Sequence, residues 1–292
     1  MSRAGFVALA GRPNVGKSTF VNAVVGRKVA IVSDRPQTTR RAIRAVHTHG
    51  ENQVVLVDLP GVQRPRDALT ARMARRVGEE LGGADAVLLI VNAEQGVGPG
   101  DRHIAHRLAA TGRPGAIAVN KIDRLTRAAT VAALAQAGEL GLAADIFPIS
   151  ARTGDGVPAL LDHLERLLPE GPPLYAEDQL TDQPLRLLIA ELIREAAIRR
   201  VVQELPHVVE VVVEDVERRP DAIGVRALLW VETESQKGIL IGAGGRTVKA
   251  VGSAARRELE HELKVKVHLD LAVRVRRGWR ADESLLDRLG IG

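Results

Sequence analysis

Apolar positions along this chain of 292 residues fall into two alternating rhythms. Short unbroken runs, Phe6–Ala10, Val54–Val57, Val87–Val91, Ala116–Val119 and Ile146–Ile149, have the pattern of strands buried on both faces. Between them, residues 19–25, 72–81, 101–111, 127–140 and 157–168 carry helical patterns. Strand and helix in alternation predict βαβ units and a mostly parallel sheet, an α/β fold. On such sheets ligands sit at the carboxyl ends of the strands.

Past Glu170-Gly-Pro-Pro173 the rhythm changes. Leu185, Leu188, Ile189, Leu192, Ile193 and Ala196 keep helical spacing, in a helix that Thr181 or Asp182 would cap and that runs to about Val202. Val208–Val213 and Val225–Val231 read as strands. An apolar lead-in, a glycine turn and a helical stretch then share residues 238–252, and Lys264–Arg276 alternates as one long strand. The organisation expected is a first domain over 1–170, a linker over 171–184, an α+β domain with its leading helix over 185–281, and a tail over 282–292.

At this length two domains are the natural expectation. The chain has no cysteine, which excludes disulfides and thiolate metal sites. No apolar run approaches the roughly 20 residues of a membrane span, and the first strand starts too early to leave room for a secretory leader, so the expectation is a soluble cytoplasmic protein. The net charge of +5 is unevenly placed. Residues 171–236 carry a net of −6 and residues 237–280 a net of +7, so a basic block lies in the second domain.

The first strand runs into Gly11-Arg12-Pro13-Asn14-Val15-Gly16-Lys17-Ser18, a complete G-x-x-x-x-G-K-S, and Thr19 continues into the first helix. A glycine-rich strand-to-helix turn presents converging backbone N–H groups and a helix N-terminus, which is what a triphosphate needs. Lys17 would reach the β- and γ-phosphates and the Ser18 hydroxyl would hold Mg²⁺. The second strand ends in Asp58-Leu59-Pro60-Gly61, where Asp58 can hold the magnesium shell through water and the Gly61 N–H can sense the γ-phosphate. In the stretch Val29–Arg40 a threonine hydroxyl would complete the metal shell; Thr39 is preferred over Thr38, which the sequence does not separate. The expected catalytic set is Lys17, Thr39, Asp58 and Gly61, and the expected metal set is Ser18, Thr39 and Asp58.

The base is named by Asn120-Lys121-Ile122-Asp123 at the end of the Ala116–Val119 strand. Guanine presents two adjacent donors, N1–H and the exocyclic amine, and one carboxylate accepts both. Adenine would leave that carboxylate unpaired, a discrimination of about 10⁴-fold or more. The Lys121 stem would pack along the base and Asn120 would tie its loop to the phosphate loop. Ser150-Ala151-Arg152 would complete the pocket, with a backbone N–H such as that of Ala151 meeting guanine O6. These motifs in order identify a domain that binds GTP and GDP and hydrolyses GTP. Val62 stands where Ras-type enzymes place a water-orienting glutamine, and Gln63 is one position along. A slow intrinsic rate, helped by a partner or a monovalent cation, is expected.

In the second domain the turn Gly242-Ala243-Gly244-Gly245 lies between an apolar lead-in and a helix, in the element order of a type II KH module. Such a turn lets the backbone approach a single-stranded nucleic acid and clamp about four nucleotides. Arg246 and Lys249 would add phosphate contacts, supported by Arg256 and Arg257. Trp230 and Trp279 suit a core as well as a stacking platform.

With these motifs in place, and with Pro-Gln-Thr-Thr-Arg (36–40), Glu-Leu-Ile-Arg-Glu (191–195), Glu-Leu-Pro (204–206), Ser-Gln-Lys (235–237) and Val-His-Leu-Asp-Leu (267–271), the chain resembles the Era family within the TrmE-Era-EngA-like GTPases. The resemblance covers both domains. It implies GTP hydrolysis coupled to binding the terminal tail of small-subunit ribosomal RNA during assembly of the 30S subunit, by a monomer with peripheral contact at the inner face of the cell membrane. It also implies that a hydrophobic residue at Val62 belongs to the pattern and that Asn14 helps hold a potassium ion near the phosphates. The Ala243-Gly244 pair departs from the family, whose KH turn usually carries a basic residue. An alternative is an RNA-binding assembly factor for which guanine nucleotide is a structural or regulatory ligand with negligible turnover.

Overall fold

The computed structural model describes residues 2–33, 38–61, 65–201 and 208–291. It separates into two compact units. The first holds residues up to Ala30 together with Thr39–Pro65 and Thr70–Asp182; the second holds Gln183 onward with Ile31–Thr38 and Arg66–Leu69.

The first unit is built on β1 (Ala4–Ala10), β2 (Ile43–His49), β3 (Asn52–Asp58), β4 (Ala86–Asn92), β5 (Gly115–Asn120) and β6 (Asp145–Ile149), in the order β2-β3-β1-β4-β5-β6. All neighbours are parallel except β2, which pairs antiparallel with β3. Its helices are α1 (Lys17–Val25), α2 (Ala68–Gly83), α3 (Pro99–Ala109), α4 (Arg127–Gly138) and α5 (Val157–Leu167). Alternate residues of each strand feed two cores, as the two-residue period requires. Val7, Leu9, Leu56, Leu88 and Ile90 meet Phe20 of α1 and Leu160 and Leu164 of α5. Ala8, Val57, Leu89 and Val91 meet Val77 and Leu81 of α2, Ile104 and Leu108 of α3, and Ala137 of α4.

Here the strands and helices expected from periodicity are found with ends shifted by a few residues, the usual margin. Strand β2 is the element that periodicity did not reveal. Its run Ile-Arg-Ala-Val-His-Thr-His holds only three apolar residues, and it becomes a strand through a tight hairpin whose turn places Gly50 at φ 59°.

The expected linker is bound along this edge. The buried Gln53 side chain accepts from the N–H groups of Leu174 (2.7 Å) and Tyr175 (2.9 Å), and Val46 N donates to Leu180 O (2.9 Å). Thr181 Oγ1 donates to the Arg44 carbonyl at 2.7 Å, and the cap position of the helix that follows is Pro184. Covering the β2 edge in this way satisfies backbone groups that would otherwise face solvent unpaired.

The second unit contains α6 (Leu185–Ile198), β7 (Glu210–Arg218), β8 (Ala222–Val231), α7 (Glu234–Ile241), α8 (Arg246–Leu263), β9 (Lys266–Val275) and α9 (Glu283–Arg288). Helix α6 starts behind Pro184, whose fixed φ suits a helix start, and takes no side-chain cap from Asp182 or Thr181. The sheet order is β7-β8-β9, antiparallel then parallel. Ile189, Leu192 and Ile193 of α6 and Val251, Ala255 and Leu259 of α8 cover it, packing on Val211, Val225, Leu229 and Val267.

Two expectations change here. The apolar lead-in to the glycine turn is helix α7, started by a reciprocal cap: Thr233 Oγ1 accepts from Gln236 N at 3.2 Å, and Gln236 Oε1 accepts from Thr233 N at 3.2 Å. The segment expected as a tail forms α9, in which Leu285 and Leu286 are buried, as is Ile291 beyond it. Trp279 is core: it is fully buried and its indole N–H donates to Val208 O at 3.2 Å. Among the described residues no helix is long and apolar enough to cross a membrane.

Candidate nucleotide and RNA sites

The four nucleotide motifs converge because each follows the carboxyl end of a strand: β1 leads to Gly11–Thr19, β3 to Asp58–Gly61, β5 to Asn120–Asp123 and β6 to Ser150–Arg152. Gly16 ends the phosphate loop at φ 103°, and a Cβ there would lie 2.3 Å from Asn120 Nδ2. Both the angle and the close approach demand glycine. Lys17 is buried, with Nζ 3.3 Å from the carbonyls of Gly11 and Arg12. Burial lowers its pKa and the charge of Asp58 works against that shift.

Ser18, Thr39 and Asp58 come together. Ser18 Oγ donates to Asp58 Oδ2 at 2.6 Å and lies 3.2 Å from Thr39 Oγ1. Asp58 is fully buried, and desolvation raises its pKa against the opposing pull of Lys17, Ser18 and Thr39. Its Oδ1 is buried without a hydrogen-bond partner. Two hydroxyls and a carboxylate with spare acceptor capacity form an all-oxygen set, the chemistry that suits Mg²⁺. Val62 and Gln63 lie outside the described residues.

At the base end Asn120 is fixed from three directions. Its Nδ2 donates to Val15 O at 2.8 Å, while Oδ1 accepts from Lys121 N (2.8 Å) and Ala151 N (2.9 Å). The Ala151 N–H is thus engaged by Asn120, and a contact from it to guanine O6 is not preformed. Lys121 adopts φ 74°, and its Nζ reaches Asn14 O at 3.0 Å, carrying the stem across to the phosphate loop. Asp123 Oδ1 accepts from Ser150 Oγ at 2.7 Å. Its Oδ2 is buried with no hydrogen bond, and Arg152 Nε is 3.3 Å away as an ion-pair partner. A buried acceptor without a donor fits a base that brings donors.

The arrangement holds a side chain that motif reading placed among the nucleotide contacts. Arg12 turns to the buried Asp101 of α3, Nε to Oδ2 at 2.8 Å. Asp101 belongs to no motif; its position near the start of α3, two residues after Pro99, was the available signal.

In the second unit the glycine turn separates α7 from α8. Gly242 has φ 72°, and a Cβ there would fall 2.2 Å from Thr247 Oγ1. Ala243 and Gly244 are exposed at the tip, and Arg246 Nε donates back to Ala243 O at 3.2 Å. Lys249, Arg256 and Arg257 are exposed on α8, whose opposite face buries Val251, Ala255 and Leu259.

Residues 6–121 match the family model described as "50S ribosome-binding GTPase", and residues 204–280 match the KH domain model. The GTPase Era of Mycobacterium tuberculosis is 48% identical, the alignment covering 98% of each chain. The chain belongs to the Era family of GTPases. Era of Mycobacterium avium is 47% identical over 99% of this chain and 98% of its own. Among solved structures, a variant of Aquifex aeolicus Era bound to GDP·AlF4⁻ superposes with a TM-score of 0.95 at 33% identity, covering 99% of each chain. Era in complex with MgGDPNP and nucleotides 1506–1542 of 16S ribosomal RNA gives 0.95 at 32% identity, covering all of both chains. As an Era-family enzyme the chain is a GTPase, with a P-loop α/β domain followed by a KH domain.

Proposed function

We propose that this GTPase binds the terminal tail of small-subunit ribosomal RNA through its KH turn and acts in assembly of the 30S subunit, hydrolysing GTP with Mg²⁺ held by Ser18, Thr39 and Asp58. The observation that carries this reading is the meeting of those three side chains beside buried Lys17, in a chain that also presents the glycine turn with exposed Lys249, Arg256 and Arg257. When bound, the metal neutralises charge on the terminal phosphates. The residues themselves position. Lys17 supplies a cation from a dry site, where it acts more strongly than in water, and the phosphate-loop N–H groups orient the chain of phosphates. Asp123 and Asn120 select the base.

Val62 can neither polarise nor orient water, so turnover is slow and rises with a monovalent cation beside Asn14. The protein works as a monomer in the cytoplasm, with peripheral contact at the inner face of the membrane. The turn's apolar tip leaves Arg246, Lys249, Arg256 and Arg257 as its source of phosphate contacts.

The test is crosslinking in cells followed by sequencing of the attached RNA. Enrichment at the end of 16S RNA supports the proposal, and enrichment on large-subunit RNA overturns it. The hydrophobic residue after Gly61 favours one further reading, in which nucleotide is a regulatory ligand with negligible turnover. RNA affinity measured with GDP and with a non-hydrolysable GTP analogue, beside multiple-turnover hydrolysis in potassium and in sodium, separates the two.

A further inference from the structure

Arg12 occupies the second position of the phosphate loop, yet its guanidinium leaves the loop altogether. Nη2 donates to Gly96 O at 3.1 Å and Nε pairs with Asp101 Oδ2 at 2.8 Å. The Asp101 side chain is 0% exposed, whereas that of Arg12 keeps 27%. The same Oδ2 accepts from Gly98 N at 2.9 Å, so one carboxylate oxygen both caps α3 and forms the ion pair with the arginine, whose Nε makes no hydrogen bond. Gly100 makes room for the passing stem, since a Cβ there would lie 2.9 Å from Arg12 Cδ.

These contacts brace the loop in addition to those of Asn120 and Lys121, which hold Val15 O and Asn14 O, so the loop is tied at Arg12 as well as at Asn14 and Val15. The residue fixed by the brace also offers its carbonyl to the Lys17 ammonium. Its side chain therefore anchors the peptide on which the phosphate-binding lysine rests. A loop held in place before binding need not be ordered by the ligand, and that saving appears as affinity.

We infer that the Arg12–Asp101 pair is a positioning brace that sets how tightly the loop grips the polyphosphate part of the nucleotide. The inference rests on the reading of Gly11–Ser18 as the polyphosphate cradle. Arg12 acts through the loop backbone and makes no phosphate contact of its own in this role.

The experiment uses the full-length protein and competes a fluorescent GDP with unlabelled GDP and GMP. Three variants are compared: Arg12→Gln removes the brace, Asp101→Asn removes its charge, and Gly100→Ala displaces the stem while leaving both charges in place. All three are expected to weaken GDP, by about tenfold for Arg12→Gln, with GMP affinity unchanged and the largest change in the dissociation rate. A merely structural role predicts otherwise. Gly100→Ala would then be neutral or stabilising, as alanine is the better helix former, and any damage would weaken GMP and GDP alike. Equal loss for both ligands, or unchanged GDP affinity in Arg12→Gln, overturns the brace. If the unaltered protein binds GDP no tighter than GMP, the cradle itself is misread, a result distinct from failure of the brace.

Discussion

At the scale of single residues, Asp58 and Asp123 each hold one carboxylate oxygen that is buried without a hydrogen bond. Asp123 Oδ2 accepts no hydrogen bond and has Arg152 only as an ion-pair neighbour, which fits the proposed pairing with guanine's two donors. Asp123→Asn replaces one acceptor oxygen with a donor that opposes the guanine amine. GDP affinity is expected to fall about 10²-fold or more, while xanthosine diphosphate, with a carbonyl in place of the amine, binds better than GDP; calorimetry with both ligands checks this. Asp58 shapes a second prediction. If it holds the metal through water, Asp58→Asn raises the Mg²⁺ concentration for half-maximal GTP hydrolysis by about 10–100-fold. The same substitution has a signature in stability. Burial raises the Asp58 pKa, so the folded state keeps this proton to higher pH than the unfolded chain does. Its contribution is present below the ordinary carboxylate value and lost as pH rises through the raised one. In EDTA without nucleotide, thermal midpoints of Asp58→Asn are expected to fall less across that window than those of the unaltered protein. Motif residues were legible in the sequence because phosphate, metal and base chemistry admit few residue types. Asp101 was not, because an acidic residue near a helix start ordinarily serves the helix alone.

At the scale of elements, legibility followed length and periodicity. The helices of the first unit and the long strand β9 are long enough for their rhythm to stand out. Strand β2 and helix α7 are shorter or less apolar, and a neighbour or a cap decides them: β3 for the one, the Thr233–Gln236 exchange for the other. The terminal helix α9 is six residues long; Asp282 caps it, accepting from Leu285 N at 3.1 Å, and Leu285 and Leu286 are buried, a burial that so short a segment does not announce by its period. Leu286→Ala is expected to destabilise the protein by about 2–5 kcal/mol, read by urea unfolding, although the sequence reading gave residues 282–292 only as a tail. The glycine turn offers the opposite experiment. Ala243 is exposed at its tip, so Ala243→Lys is expected to fold normally and to strengthen single-stranded RNA binding. The gain should be electrostatic, steepening the slope of log affinity against log salt by about 0.7. An unchanged slope would show that the tip does not face phosphate.

At the scale of the whole molecule, charge separates the two activities. Residues 237–280 carry a net of +7, whereas nucleotide selection depends on buried, specific contacts. Raising potassium chloride is therefore expected to weaken RNA binding steeply while GDP affinity changes little, with filter binding and nucleotide titration run on the same preparation. Division of the chain was visible in the shift of rhythm near Pro172 and Pro173, yet the first unit continues to Asp182. The amino-acid order alone determined the guanine-nucleotide motifs, the class of fold and the position of the glycine turn, because those depend on residue type at short spacing and on strand period. Tertiary structure decided what depends on partners far along the chain: that residues 174–181 cover the edge of β2, that Ala151 serves Asn120, and that Arg12 reaches Asp101. Sequence patterns carry the preferences of neighbours within a turn or two. Contacts closed across some 30 to 140 positions are set by packing.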